Sequence, residues 1–539
     1  MKIVLPKEQT SLVTPTVIPV ELNDTDIDRM LTRILEMAVK RGLYASSRVD
    51  TKDYDKYLWA LSESEHIAGI DGADGLDVLD GWIRASVLRE ERVGRRRDAV
   101  QMGYIRPLTI ASYRSGLPKT ANRNRRADTV TYQSVWRVLG GAEADTARVK
   151  KLFVDTFGAG VALGEMPWHA PAYDGTSNVD IDTLLALRFL EGFTGSQNPK
   201  DANRTFLPLA VPAAIDPLGH DLVAFLRQYG PAMPVAEAFT HVSALIALRL
   251  FQLPLVTARV VRSLLSGDTN DTPALEMYCD FVRRKGSPSD EVASLCVQRD
   301  LEILRTFFRD RLLIRELDRA AEAAGLNPPA DDDPGERLRW AASLHNHEGI
   351  NFGLGFSILP TIRGMQAEGS EEREFVEGVM NAQSLSNADK LAAILVEALR
   401  KRGLENQIKW FHNTGGIAKS YGMLSGTLRV RSTWRYAPSD EVLTTLLCLC
   451  FTDEDGTTTH AKLPVRDVLE RLESRFGILI DRPPADFDSA TARAGAQENF
   501  NAFTGRLKLL GCFQGLSDDF SAQYVTRPRD VVSTRENTP

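Results

Sequence analysis

Apolar residues recur at helical spacing through residues 289–324, at Val292, Leu295, Leu301, Leu304, Phe308, Leu312 and Leu317. A 3.6-residue period held for that long commits the surrounding chain to helix-on-helix packing, because an apolar stripe must be buried against a neighbouring element. The stretch follows Ser287 and Pro288 and carries Asp290 and Glu291 at its start, a capped and acidic first turn. One break or bend is expected within it, since so long a helix is unusual in a compact domain. The same period predicts helices over residues 25–42, 54–66, 75–92, 145–157, 180–192 and 234–252. Thr25 with Asp28 resembles a capping box, and Gly42 is a natural stop. Strand signals are confined to residues 4–5, 17–20 and 427–434 and to the end of the chain.

The expected fold class is therefore mainly α and multi-domain, since 539 residues exceed what one core holds. Pro-, Gly- and Asp-rich stretches at 197–203, 327–335 and 481–488 read as linkers. The expected division is an N-terminal helical region 1–196, a central helical domain 197–330, a second helical segment 331–424, a C-terminal module 425–532 and a disordered tail 533–539. Cys279, Cys296, Cys448, Cys450 and Cys512 are scattered on apolar stretches, which suits buried thiols in a reducing cytosol. Cys448 and Cys450 lack the second ligand pair of a zinc site. The N-terminus has no apolar signal core. The most apolar region, 241–261, is interrupted by Arg249 and Arg259, so it reads as core helix, with no membrane partner expected.

The net charge of −7 conceals an asymmetry. Residues 84–126 carry twelve basic and three acidic side chains (+9), and residues 399–436 carry eight and one (+7), leaving −23 for the rest. Such basic segments suit either phosphate contact or a solvated surface. In the first, Arg95, Arg96, Arg97, Arg123, Arg125 and Arg126 are the candidate phosphate contacts, with Tyr104, Tyr113, Asn122 and Asn124 interleaved. In the second, an alternating strand would place Arg429, Arg431 and Arg435 on one side.

The last hundred or so residues read as helix, short strand, helix, helix, β-hairpin, the order of a winged-helix module. Ser439 caps the first helix, Pro464 opens the second, and the third, about 489–510, carries Phe500, Phe503, Leu507 and Leu510 at helical spacing. Its polar positions, Asn499, Asn501, Arg506 and Lys508, have the donor and acceptor geometry to read base edges, and Arg527 and Arg529 follow the hairpin. The connection between second and third helices, 477–488, is longer than the usual turn. The expected partner is double-stranded DNA.

Catalytic signatures fare worse. Gly415–Ser420, GGIAKS, has Asn413 and Ala418 where a phosphate loop requires glycine. Residues 158–164, GAGVALG, follow a helical stretch where a dinucleotide site needs a strand. His345 and His347 alternate and read as a surface loop, and the Asp26/Asp28, Asp180/Asp182 and Asp486/Asp488 pairs read as helix caps. His412 with Lys409 and Lys419 forms a basic patch. No cofactor, metal or catalytic residue is assigned. Two alternatives to a DNA-binding accessory protein stand: a metal-dependent nuclease subunit using scattered carboxylates with the His345/His347 region, and a protein-interaction subunit whose winged helix does not touch DNA.

Three phrases, FVRRKGSPSDEVASLCVQRDLEILRTFFRDRLLIRELDRA, TWRYAPSDEVL and the run from RFGILIDRPP to FSAQYV, resemble components of bacterial anti-phage islands, in particular a non-enzymatic component of the methylation-associated defence system. The resemblance covers the second half of the chain. It implies a bacterial cytosolic protein acting beside a DNA methyltransferase and an ATPase, and it transfers no functional residue.

Overall fold

The computed structural model describes residues 3–42, 54–65, 67–70, 72–92, 100–115, 124–164, 171–191, 206–267, 274–329, 333–363, 371–453, 456–515 and 523–531. Helix dominates them, as the periodicity requires, and the few strands are short. The N-terminal layer holds α1 (Ile27–Val39), α2 (Tyr54–Ser62), α3 (Gly72–Trp82), the antiparallel pair β1 (Leu88–Arg92) and β2 (Val100–Ile105), α4 (Ala127–Val138), α5 (Asp145–Phe157), the pair β3 (Val161–Ala162) and β4 (Ala172–Tyr173), and α6 (Ile181–Glu191). The middle consists of α7 (Pro212–Gln228), α8 (Val235–Ser266), β5 (Met277–Tyr278) and α9 (Pro288–Ala323), followed by α10 (Pro334–Ser343), α11 (Glu348–Arg363), α12 (Glu371–Asn381) and α13 (Asn387–Thr414). The C-terminal part runs β6 (Leu424–Ser425), β7 (Arg435–Tyr436), α14 (Asp440–Cys450), β8 (Lys462–Pro464), α15 (Val465–Phe476), β9 (Ile478–Leu479), α16 (Ala490–Leu509), β10 (Phe513–Gly515) and β11 (Gln523–Thr526).

The spine is α9, and it does not break. Ser287 caps it through the Asp290 amide, Pro288 opens it, and α8, α10, α11, α13 and α16 pack around it. Burial on several sides, at Cys296, Leu304, Phe308, Leu312 and Leu317, removes the solvent exposure that would favour a bend. α8 also runs on past residue 252, through Pro254. Proline lacks the N–H that would bond the Leu250 carbonyl one turn back, but the Trp410 indole N–H of α13 donates to that carbonyl at 3.0 Å. The orphaned acceptor thus becomes a tie between two core helices. α8 is the one helix among the described residues long and apolar enough to cross a membrane, and 83% of its most apolar window is buried inside the protein. It is the core helix expected from Arg249 and Arg259, both of which are engaged: Arg249 with Asp221, and Arg259 with Asp300.

Several local expectations need correction. Asp26, not Thr25, caps α1, accepting from the Asp28 and Arg29 amides. Residues 17–20 form turns, and the helix expected over 75–92 gives way at residue 88 to β1. Residues 427–434 are not a strand. A 3-10 turn at Arg431–Thr433 folds them back, held by Thr427 N donating to Thr433 Oγ1 at 2.9 Å and by the Trp434 indole donating to Thr427 O at 3.0 Å.

The C-terminal part is stitched into this helical body. β9 pairs in parallel with β5, and Asn499 of α16 spans the join, donating to the carbonyls of Cys279 (2.8 Å) and Ile480 (2.9 Å) and accepting from the Phe281 amide (2.7 Å). Below it lies a buried ionic knot. Asp221 of α7 accepts from Arg249 Nε of α8 at 2.7 Å and from Arg475 Nε of α15 at 2.9 Å. Arg475 also donates to the carbonyls of Leu449 and Thr452, so one carboxylate fastens α7, α8, α14 and α15. The largest hydrophobic cluster takes in residues from Val17 to Val525, and two smaller clusters lie apart from it, one among α9, α11 and α13 and one among α2, α3 and α6.

His241 of α8 is a second tie to α14, its Nδ1 lying 2.7 Å from Thr445 Oγ1. Burial holds its imidazole neutral and lowers its pKa from 6.5 to about 4, reinforced by Arg529 and opposed by Glu237 and Glu441. Because the folded value lies below the unfolded one, the unfolded chain binds the proton first, and stability falls as pH drops from 6.5 towards 4. The group's contribution is intact above that window and its full loss amounts to about 3 kcal/mol. Urea midpoints of the native protein and His241→Gln, taken between neutral pH and the lower edge of that window, are expected to converge as pH falls. A constant gap between them would remove His241 from the account.

Candidate nucleic-acid interface

The second basic segment folds onto one surface, although not as a strand. Along the exposed face of α13 stand Arg402, Glu405 and Lys409, with half-buried His412 at its end. The His412 pKa is lowered by burial first and then by the positive charges of Arg431 and Lys409. Buried Trp434 packs edge-on against the His412 ring, with centroids 5.8 Å apart, and supports the 427–433 turn. The turn separates the three arginines that an alternating strand would align. Arg429 points to solvent; Arg431 pairs with Glu405 at 2.6 Å; Arg435 pairs with Asp290 of α9 at 2.8 Å.

Beside this ridge is a concave cleft of about 280 Å³. Arg435, Lys419 and Arg283 line it together with Ser425 and Ser439, and no lining residue is acidic. Arg283 comes from the 279–287 connection between β5 and α9, and is held by Asp280, whose carboxylate accepts from the Val282 and Arg283 amides. Its guanidinium donates to Pro438 O at 2.7 Å. Arg284 and Lys285 continue this positive edge, Arg284 meeting Glu498 at 3.1 Å. Sequence reasoning missed these three residues. Their signal is the RRKG immediately before the α9 cap, a short basic run outside the two segments that charge counting singles out.

The C-terminal elements form a three-stranded antiparallel sheet in the order β10-β11-β8, beside α14, α15 and α16. The polar positions of α16 have different fates. Asn499 is fully buried at the β5–β9 join. Arg506 makes a two-pronged ion pair with Asp440 at the start of α14. Asn501 and Lys508 are exposed, Lys508 Nζ lying 5.1 Å from the Phe513 ring centroid. Arg527 donates to Arg529 O and Thr459 Oγ1, and Arg529 pairs with Glu237.

The first basic segment is only partly described. Arg95, Arg96, Arg97 and Arg123 lie outside the described residues. Arg125 pairs with Glu21 (3.2 Å) and Asp24 (2.7 Å), clamping the N-terminal arm, while Arg126 is exposed. The structure therefore gives Arg429, Arg431 and Arg435 separate surroundings along the 427–433 turn and β7, while Arg125 is held by Glu21 and Asp24.

Other polar features have structural partners. His345 Nε2 meets Asp389 Oδ1 at 3.2 Å, and His347 Nδ1 accepts from the Ile350 amide. The His345 hydrogen bond, then that of Ser386 and the charge of Arg309, hold the Asp389 carboxyl well below the usual range. Among the described residues no group of three or more His, Cys, Asp or Glu side chains is placed to hold a metal ion. A larger cleft of about 750 Å³ lies between α8 and α9, but its Arg262 is paired with Asp310 and its Arg299 with Asp300. All five cysteines are buried and free.

These features define a class: a globular, mainly α-helical protein with a concentrated cationic surface on an otherwise acidic chain. Residues 7–529 match the family described as methylation-associated defense system protein MAD7, and the chain belongs to that family. The match extends the resemblance seen in the second half over almost the whole length and makes the protein a component of a methylation-associated defence system. No curated protein matches the chain.

Proposed function

We propose that this protein is the DNA-engaging accessory component of its defence system, a cytoplasmic, non-enzymatic subunit that holds duplex DNA through phosphates and presents it to the system's methyltransferase and ATPase. The observation that carries the reading is the gathering of cations distant in sequence, Arg283–Lys285, Lys409, Lys419 and Arg429, around one ridge and cleft. Phosphate contacts supply most of the sequence-independent affinity of DNA-binding proteins, and exposed arginine and lysine supply those contacts.

The winged-helix reading of residues 425–532 is part of this proposal. Its support is the order α14, β8, α15, α16, β10, β11 and the placement of β8 next to β11. The third helix contributes less than its sequence suggests, since Asn499 and Arg506 are engaged within the protein; Asn501 and Lys508 remain for groove contact. Positioning on phosphates, more than base reading, is therefore the proposed task.

A second reading has its own observation. Phe352 and Phe356 of α11 are 67% and 58% exposed and stack edge to face. An exposed aromatic pair suits contact with another protein component. Equilibrium binding of the intact chain to a short duplex tests the leading reading: retention of DNA at low salt is expected, and indifference to DNA would move the proposal to protein docking.

A further inference from the structure

We propose that the cleft lined by Arg283, Lys419 and Arg435 is a receptor for a phosphomonoester: the terminal phosphate of a nucleic-acid strand, or that of a free mononucleotide. The proposal deepens the nucleic-acid reading of this surface, but its geometry stands without the rest of the ridge. Three positive side chains arrive from three separate parts of the chain, the β5–α9 connection, the turn after α13, and β7. The hydroxyl-bearing residues Ser425 and Ser439 complete the polar lining. Asp290 partly neutralises Arg435, whereas Lys419 has no ion-pair partner among the described residues. The cleft thus retains positive charge that its own lining does not balance.

The backbone is bent to make this shape. Five non-glycine residues among those described have left-handed φ angles, and two of them, Arg283 (55°) and Ala418 (59°), line this one cleft. Each costs about 1–2 kcal/mol and persists only where the surroundings impose it, a pattern concentrated at ligand sites. Gly422 is required by close approach: a Cβ there would lie 2.4 Å from Gly416 O. The GGIAKS turn lacks the glycines of a nucleotide-binding phosphate loop. It nevertheless forms a wall that presents Lys419 to the cleft.

Charge and shape both favour a terminal phosphate over one inside a strand. A monoester carries about −1.5 to −2 at neutral pH, whereas an internal diester carries one negative charge. A chain end can enter a concavity that a continuous backbone must pass over. Charge-assisted hydrogen bonds from two guanidinium groups and an ammonium suit such a dianion.

The test is calorimetric titration of the intact protein with inorganic phosphate, with AMP, and with one single-stranded oligonucleotide carrying either a 5′-phosphate or a 5′-hydroxyl. The 5′-phosphorylated strand is expected to bind about tenfold tighter or more than its twin. Lys419→Glu, at an exposed position, is expected to erase the difference without changing the far-ultraviolet circular dichroism. Arg429→Glu is expected to weaken both strands alike and preserve it. AMP uptake lost in Lys419→Glu, with no preference between the strands, assigns the cleft to a free mononucleotide. The same AMP result in a protein that ignores duplex DNA supports the cleft and rejects only the ridge. Equal affinity for the two strands, with no uptake of phosphate or AMP, overturns the proposal.

Discussion

Replacing Lys409, Lys419 and Arg429 together by glutamate is expected to lower affinity for duplex DNA by a hundredfold or more near physiological salt. The magnitude follows from counterion release: each neutralised phosphate contributes roughly 0.9 to the slope of log K against log salt, or about 1 kcal/mol at such ionic strength. Losing three contacts therefore costs about 3 kcal/mol, and reversal adds repulsion. The three side chains are exposed and take no part in the core, so circular dichroism and thermal midpoint are expected to stay close to those of the native protein. The salt slope should become shallower by about three. Unchanged affinity in a folded triple variant would detach this surface from DNA.

The largest expected effect on stability comes from Asp221→Ala. The Asp221 side chain is 2% exposed and faces two arginines, Arg249 (8%) and Arg475 (15%), that would keep their charge without a counter-ion. Removing one partner of a buried ion pair typically costs about 3–5 kcal/mol, more than the pair contributed, because an uncompensated charge stays buried. The loss should be concentrated where the knot acts, at the seam of α7 and α8 with α14 and α15, and read out as faster amide exchange in residues 440–476 together with a lower denaturant midpoint. A double variant, Asp221→Leu with Arg249→Met, is expected to recover part of the stability by removing charge as well as partner. A destabilisation below about 1 kcal/mol in Asp221→Ala would show that the seam is held by apolar packing alone.

Periodicity and capping made much of the fold legible. α5 falls on the expected 145–157, and α9 starts where Ser287 and Pro288 placed it. Where the reading failed, a long-range partner was responsible. The expected helix stops at residue 252, but α8 runs on through Pro254, and Trp410, far along the chain, satisfies the freed carbonyl. Alternation implied a strand at 427–434, but the hydrogen bonds of Thr433 and the Trp434 indole favour a tight turn. Helices α7 and α13 lie in stretches expected to be helical, 197–330 and 331–424, but periodicity does not bound them individually, although each carries a broad buried face. At the site, charge counting singles out the 399–436 segment and the expected contacts include Arg429, whereas Lys409 and Lys419 read only as a basic patch around His412. It could not show that Arg506 has Asp440 as its partner or that Asn499 closes a strand pair, because both depend on contacts between distant elements. Nor could it bring Arg283 beside Lys419, a consequence of packing the β5–α9 connection against the turn after α13.

The most direct test of the central claim is a fluorescence-polarisation titration of the intact protein with a short duplex across a salt series, using methylated and unmethylated versions of one sequence. Substitution is a better tool here than deletion, since residues 425–539 contribute β9, Arg475 and Asn499 to the shared core. The expected result is binding whose logarithm falls steeply and linearly with the logarithm of salt concentration. Absence of binding at the lowest salt, or binding indifferent to salt, would contradict a phosphate-holding surface and leave the cationic ridge as a face for an acidic protein partner.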